Sequence, residues 1–208
     1  MDLNRPLQTV TPTVDGDVLA ALAAAPEVTF TTGQLHRVLS RHSEEGIRKV
    51  LQRLSKQGTV RSSRVGNAFA YQLNPDHLAF QYVVGLANLF GEFLHKLENT
   101  LGGWTTPPVY AAVFGSAAHG TMTLDSDIDI FLLRPDAVVD EVWDEQVADL
   151  LAAVTRWTGN DARDLQFTQS EIAGQQQKEP VLQDVAKEGL TVAGTRSDFT
   201  RLLRKGNR

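Results

Sequence analysis

Residues 113–132 read VFGSAAHGTMTLDSDIDIFL, and this stretch decides the fold of the C-terminal half. The apolar run Val109–Phe114 ends on Gly115-Ser116, and ten residues later Asp127 opens a second apolar run to Leu133. Both runs are short and β-prone, so each is expected to be a buried strand. Side chains alternate along a strand, so Asp127 and Asp129 point one way while Ile128 and Ile130 point into the core. At ~3.3 Å rise per residue their Cα atoms lie about 7 Å apart. Two carboxylates so placed can share one or two Mg²⁺ ions, hard cations commonly held by one or two carboxylates plus substrate phosphates. Gly115 lets backbone approach a phosphate, Ser116 adds a hydroxyl, and the short turn or helix Ala117–Gly120 starts with amides suited to an anion. A Gly-Ser alone is usually a turn, and an Asp-Ser-Asp alone a cap or turn. Together, at the ends of two apolar strands, they make a phosphate cradle and a metal clamp, the two parts of a nucleotide triphosphate site. Two metals there would stabilise attacking and leaving oxygens of an in-line displacement.

Working outward, Val139–Trp157 reads as an amphipathic helix and Leu165–Thr168 as a third strand. Gln169–Lys187 reads as helical with a break at Pro180, and Leu190–Val192 as a short last strand. FGSAAHGTMTLDSDIDIFLL resembles the signature of the DNA polymerase beta-type nucleotidyltransferase superfamily. It is closest to the minimal nucleotidyltransferases, whose pattern is G-S-x10-D-x-D, and the resemblance covers Pro108–Gly194. It implies a mixed sheet backed by helices. It also implies Mg²⁺ and transfer of a nucleoside monophosphate, often AMP, from a triphosphate to a hydroxyl acceptor with pyrophosphate released. By position, Gly115 and Ser116 match the nucleotide-binding pair, and Asp127 and Asp129 the catalytic metal ligands. The family's third carboxylate, flanked by apolar residues on the later strand, falls in ARDLQFTQ on Gln166, with Asp164 two residues earlier on the same face. An amide cannot act as a base and is a weaker metal ligand. Gln166 is the better positional match, because using Asp164 needs a register shift of about 7 Å. Asp125 shares parity with the pair but is expected to shape the turn, and His119 is expected to be a loop histidine.

The N-terminal half carries a different pattern. Residues 1–13 hold two prolines and no apolar period, so a disordered or loosely docked arm is expected. Helices are expected over Asp15–Ala25, stopped by Pro26, then from Thr32 as cap with Leu35, Val38 and Leu39 inward, then from the N-cap Ser43 to Gly58. In the third helix Ile47, Val50, Leu51 and Leu54 face inward and leave Arg48, Lys49, Gln52, Arg53 and Lys56 outside. Val60 and then Phe69, Tyr71 and Leu73 alternate around a Gly66-Asn67 turn, a hairpin carrying Arg61 and Arg64. Three helices followed by a hairpin make the pattern of a winged helix-turn-helix, and Phe30–Leu73 resembles MarR-like and related regulators. That fold lays its third helix in the DNA major groove, with the wing on backbone or minor groove. Some copies bind protein instead. Pro75 is expected to open one long helix to Gly102-Gly103, with Leu78, Tyr82, Leu86, Leu89, Phe93 and Leu97 as its stripe, bridging the domains or forming a dimer.

The whole is therefore an α/β (α+β) chain with three parts: a winged helix-turn-helix at 14–74, a linking helix at 75–104 and a minimal nucleotidyltransferase domain at 105–208. The 208 residues suit two small domains, and 42% apolar with 22% charged residues is ordinary globular composition. The absence of cysteine excludes disulfides, thiolate metal sites and thiol nucleophiles. No apolar run reaches the ~18 residues of a membrane span, and the start lacks a secretory layout, so a cytoplasmic protein is the simplest reading. Residues 31–71 hold eight Lys/Arg against two acids, within a chain of net charge -5. Such a basic block points to a polyanion or to a solvated charged face.

Three functions fit. One is Mg²⁺-dependent transfer from a nucleoside triphosphate, ATP being the expected one, coupled to DNA. Another is a catalytically weak, nucleotide-sensing transcriptional regulator. The third is an antitoxin-like role, since minimal nucleotidyltransferases often partner ribonuclease toxins. DNA, the nucleotide, and a protein acceptor or toxin are the expected partners, and a homodimer would suit a two-fold DNA site. Too few residues follow the linker for the extra helical domain of aminoglycoside-modifying enzymes.

Overall fold

The computed structural model describes residues 1–173 and 179–204. The expected helix across 169–187 therefore lies partly outside the described residues. The chain forms two compact units, Arg5–Phe90, and Met1–Asn4 with Gly91–Arg208.

The first unit begins with a 3-10 turn, Pro6–Thr9, and continues through α1 (Val14–Ala23), β1 (Phe30–Thr31), α2 (Thr32–Val38), α3 (Glu44–Lys56), β2 (Val60–Val65), β3 (Ala68–Leu73) and α4 (Phe80–Ala87). The strands form an antiparallel sheet in the order β1-β3-β2, with Val65 opposite Ala68 across the Gly66-Asn67 turn. Helix α3 starts where the sequence places it: the Ser43 hydroxyl accepts the Gly46 amide, and Glu44 and Glu45 fill the first turn. Its face Ile47, Val50, Leu51 and Leu54 is buried against Val18, Leu22, Leu35, Tyr71 and Leu73. Gly58 follows the helix with φ +79.

Several local expectations need correction. The cap of α2 is Thr31, not Thr32: its side chain accepts the Gln34 amide while Gln34 returns a bond to the Thr31 amide. Val38 ends that helix exposed. Phe69 is also exposed, because it pairs with Arg64 close to the hairpin tip, past the reach of the core. The single long helix is two helices, α4 and α5 (Leu89–Gly102), separated by Asn88. Residues 74–80 turn instead of opening a helix at Pro75: Asn74 accepts the His77 amide and His77 accepts the Phe80 amide. The stripe therefore loses Leu78 and Tyr82 to solvent, and Val83 is buried in their place. The arm at 1–13 is docked, with Leu3 and Leu7 buried. Two isolated leucines without a period leave no sequence signal of this.

Asp17 organises the first unit's polar interior. It is only 5% exposed and is paired with Arg5, Arg41 and His42, with Gln8 donating at 2.9 Å. These bonds tie α1 to the segment between α2 and α3. Burial pushes its carboxyl up, but the hydrogen bonds from His42, Arg41 and Gln8 and the Arg41 charge outweigh it and hold the pKa at about 2.

The second unit is built on a mixed sheet. After α5 come β4 (Tyr110–Phe114), α6 (Ser116–His119), β5 (Ile128–Arg134), α7 (Asp140–Thr158), β6 (Ala162–Thr168), α8 (Gln169–Ile172), α9 (Pro180–Glu188), β7 (Leu190–Ala193) and α10 (Arg196–Arg204). The strand order is β6-β5-β4-β7, with β5 and β6 parallel across α7 and the other pairs antiparallel. One sheet face carries Tyr110, Ala112, Phe131 and Leu133 and packs on Ile172, Leu182, Val185, Phe199 and Leu203 of α8, α9 and α10. Tyr110 and Phe199 stack with ring centroids 4.4 Å apart. The other face meets α7, where Trp143 is fully buried and Trp104 meets it edge-on. Helix α10 has no counterpart in the sequence reading, although its Phe199 belongs to the core.

Candidate functional site

The register of the central strands sets the site. Phe114 lies opposite Asp129 across β4 and β5, so Gly115-Ser116 leaves one strand where the two acids enter its neighbour. Gly115 has φ 67 and ψ -145, a region essentially closed to other residues, and Ser116 begins α6. A Cβ added at Gly115 would lie 2.5 Å from Asp129 Oδ2. The missing side chain is therefore what lets the carboxylate rest against the bend. Ile128 and Ile130 are fully buried, as the alternation requires. Asp127 stands one step before β5, held by the ladder bond from the Ile128 amide to the Asp161 carbonyl.

The pair is electrostatically unfavourable on its own. Burial raises the Asp129 pKa, the Asp127 charge raises it further, and Arg163 partly offsets both. Arg163 Nη1 lies 2.9 Å from Asp127 Oδ2. Two oxygen-donor carboxylates, one of them crowded by its neighbour's charge, fit a hard divalent cation that completes its shell with phosphate and water. Among the described residues, no group of three or more His, Asp or Glu side chains could hold a metal. Asp127 and Asp129 are the pair on this face that could hold such an ion.

Gln166 and Asp164 do not join them. In the parallel pairing of β5 and β6, Asp129 is level with Arg163, Ile130 with Asp164 and Leu132 with Gln166. Cross-strand partners share a face. Gln166 and Asp164 therefore lie on the α7 side, where the Trp143 indole N–H donates to Gln166 Oε1 and Gln166 Nε2 donates to Asp164, both at 2.5 Å. The flanking Leu165 and Phe167 lie on the opposite side, with Phe167 stacked on Phe131. Apolar neighbours do not reveal which side of a sheet a polar residue takes. On the carboxylate face the register position is Arg163, a residue the sequence reading passed over.

The loop between the two halves of the motif is braced by residues remote in sequence. Asn4 Nδ2 donates to the Ala117 carbonyl at 3.0 Å and Asn4 Oδ1 accepts the Met122 amide at 3.1 Å. Buried Asn160 donates to the carbonyls of Leu124 and Ser126. Neither asparagine had a sequence signal. Asp125 is an exposed turn residue, and His119 Nε2 lies 3.1 Å from Asp184 Oδ1 of α9.

In the first unit, Arg48, Lys49, Gln52, Arg53 and Lys56 are all exposed on α3, and Arg61 and Arg64 on β2. Several already have partners. Glu45 takes Arg48 at 2.7 Å and Lys49 at 3.7 Å, Asp15 pairs with Arg53, and Asp76 with Arg61. Arg64 Nε donates to the Gly66 carbonyl.

Residues 104–180 match the family model of the nucleotidyltransferase domain. No curated protein matches the chain. Among solved structures, a toxin–antitoxin with AMP-PNP aligns at 22% identity and TM-score 0.38, covering 53% of this chain and 80% of that one. A mutant of the toxin–antitoxin MntA-HpeT aligns at 21% identity and TM-score 0.38 over the same shares. Another mutant of that pair aligns at 23% identity and TM-score 0.37, covering 54% and 80%. Among the described residues, no helix is long and apolar enough to cross a membrane.

Proposed function

We propose that this protein is a Mg²⁺-dependent nucleotidyltransferase, moving a nucleoside monophosphate from a triphosphate such as ATP to a hydroxyl acceptor. The acceptor hydroxyl gives up its proton to solvent as its oxygen bonds the α-phosphorus, the bond from that phosphorus to the bridging oxygen breaks, and pyrophosphate leaves with the electron pair. The observation that carries the reading is the Asp129 carboxylate resting on the side-chain-free Gly115 bend. The family match over residues 104–180 supports it. Asp127 and Asp129 would hold the metal, and Gly115 and Ser116 the phosphates. The ion would supply charge neutralisation at the phosphates and at the developing oxyanions.

Calorimetry with Mg²⁺ and a non-hydrolysable ATP analogue tests the assignment. Wild type binds, and Asp127→Asn/Asp129→Asn loses binding; equal affinity in both rejects the metal clamp. A second reading, a nucleotide sensor with weak transfer, is favoured by one observation: the place level with Asp129 on β6 holds a cation, Arg163, in place of an acid. Labelled ATP separates the two, since transfer marks an acceptor in cell extract and sensing leaves none marked.

We further propose that residues 14–74 form a winged helix-turn-helix that binds DNA through Arg48, Lys49, Gln52, Arg53 and Lys56, with Arg61 and Arg64 on the wing. The exposed outer face of α3 supports this reading. DNA affinity should fall steeply with salt, as phosphate contacts release counterions. A flat salt response, or no loss in Arg48→Ala/Arg53→Ala, rejects it.

A further inference from the structure

Arg163 is level with Asp129 on the adjacent strand, and its guanidinium reaches past that residue to Asp127, at 2.9 Å. Its side chain is 67% exposed, whereas that of Asp127 is 28% exposed. One end of this pair is fixed at the start of β5, and the other is a long stem with most of its surface in water. A guanidinium cannot be deprotonated at working pH, so it leaves a carboxylate only by moving. A divalent cation bound to Asp127 and Asp129 would meet the guanidinium's charge at Asp127, whose Oδ2 Arg163 already holds. The planar fork that pairs with a carboxylate matches a phosphate equally well.

We propose that Arg163 is an exchangeable cation of the site: it holds Asp127 while the site is empty and transfers to the nucleotide's phosphates when a metal ion takes Asp127. The inference rests on the reading of Asp127 and Asp129 as a metal–nucleotide site. It makes metal and nucleotide mutually dependent ligands. Metal alone competes with a bound arginine, whereas metal arriving with a polyphosphate gives that arginine a second partner. It also explains how a site with two protein carboxylates stays near charge balance when empty.

The test follows two affinities that must move in opposite directions. Mn²⁺ binding to the nucleotide-free protein is read by electron paramagnetic resonance in wild type, Arg163→Ala and Arg163→Lys. Binding of a non-hydrolysable ATP analogue is then read by calorimetry at saturating Mn²⁺. Arg163→Ala should bind Mn²⁺ alone up to about fivefold more tightly, the scale of removing one exposed charge pair. The same variant should bind the analogue about tenfold more weakly, for loss of a charge-assisted phosphate contact. Arg163→Lys should fall between on the second measure, having charge without the fork. Unchanged Mn²⁺ affinity, or both affinities moving the same way, overturns the exchange while leaving the carboxylate site standing. If wild type and Arg163→Ala both fail to bind Mn²⁺ with or without the analogue, the metal–nucleotide reading falls and the exchange falls with it.

Discussion

Gly115→Ala separates two consequences of one missing side chain. The backbone at φ 67 and ψ -145 lies where residues with a Cβ are strained by about 1–3 kcal/mol. That part is a stability cost, and ~2 kcal/mol corresponds to a melting shift of roughly 4–8 °C for a chain of this size. The second consequence is steric. The new Cβ would sit 2.5 Å from Asp129 Oδ2 but 3.5 Å from its Cγ, so rotation of the carboxylate relieves the clash. That rotation costs little in folding but takes the oxygen away from the position where it rests against the Gly115 bend. Metal-dependent binding of an ATP analogue should therefore weaken by more than about tenfold, or ~1.4 kcal/mol, beyond what the stability loss explains. Gly120→Ala is the control. Gly120 also has positive φ, 72, yet a Cβ there meets nothing within 4 Å. It should lose about 1 kcal/mol of stability and keep its affinity. Thermal melts and calorimetry on the three proteins give both numbers. Wild-type affinity in Gly115→Ala would refute the claim that this glycine makes room for Asp129.

Asp129 should show a trade between stability and binding. Its folded pKa is raised, so the ionised form destabilises the native state at pH above that value, and the cost vanishes below the unfolded value. Asp129→Asn should therefore melt higher than wild type at pH 7 without ligand and fail to bind the metal–nucleotide pair; a lower melting temperature contradicts the burial argument. Asp17 has the opposite sign. With a folded pKa of about 2 against an ordinary 3.8, it contributes about 2 kcal/mol that is complete above roughly pH 5 and lost as pH falls toward 2. Urea denaturation of wild type and Asp17→Ala should converge by that amount between pH 5 and pH 2, and a constant gap would exclude the carboxylate as its source. Gln166→Glu supplies an acid on the α7 side of the sheet, so metal stoichiometry should stay at the wild-type value; an added metal would place residue 166 on the carboxylate face.

What could be read in advance was local. The alternation of Asp127-Ile128-Asp129-Ile130 and the Gly-Ser bend depend on neighbours a few residues away, and so do the Ser43 cap and the Gly66-Asn67 turn. The mixed sheet was an implication of the family resemblance carried by the Gly-Ser and Asp-x-Asp motifs, and no local spacing dictated it. Gln166 shows where such reasoning stops. Parity fixes that it shares a face with Asp164, but only the pairing of β6 with β5 fixes which face, and that register is a contact between distant residues. The long helix failed for a related reason: the apolar stripe from Leu78 to Leu97 assumed unbroken periodicity, and the turn at Asn88 shifts burial to Val83. Arg163 was hidden because one cation in ARDLQFTQ looks like surface until its register partner is known.

The two hydrogen bonds of Asn4 bear on the order in which the protein matures. Asn4 is made long before Ala117 and Met122, the groups it joins, and the whole Arg5–Phe90 unit intervenes in the chain. A growing polypeptide can complete that first unit while Asn4 still has nothing to dock on. The loop ahead of Asp127 can gain its last support only after synthesis has passed it, so a fragment starting near residue 91 would carry both acids but lack the Asn4 brace.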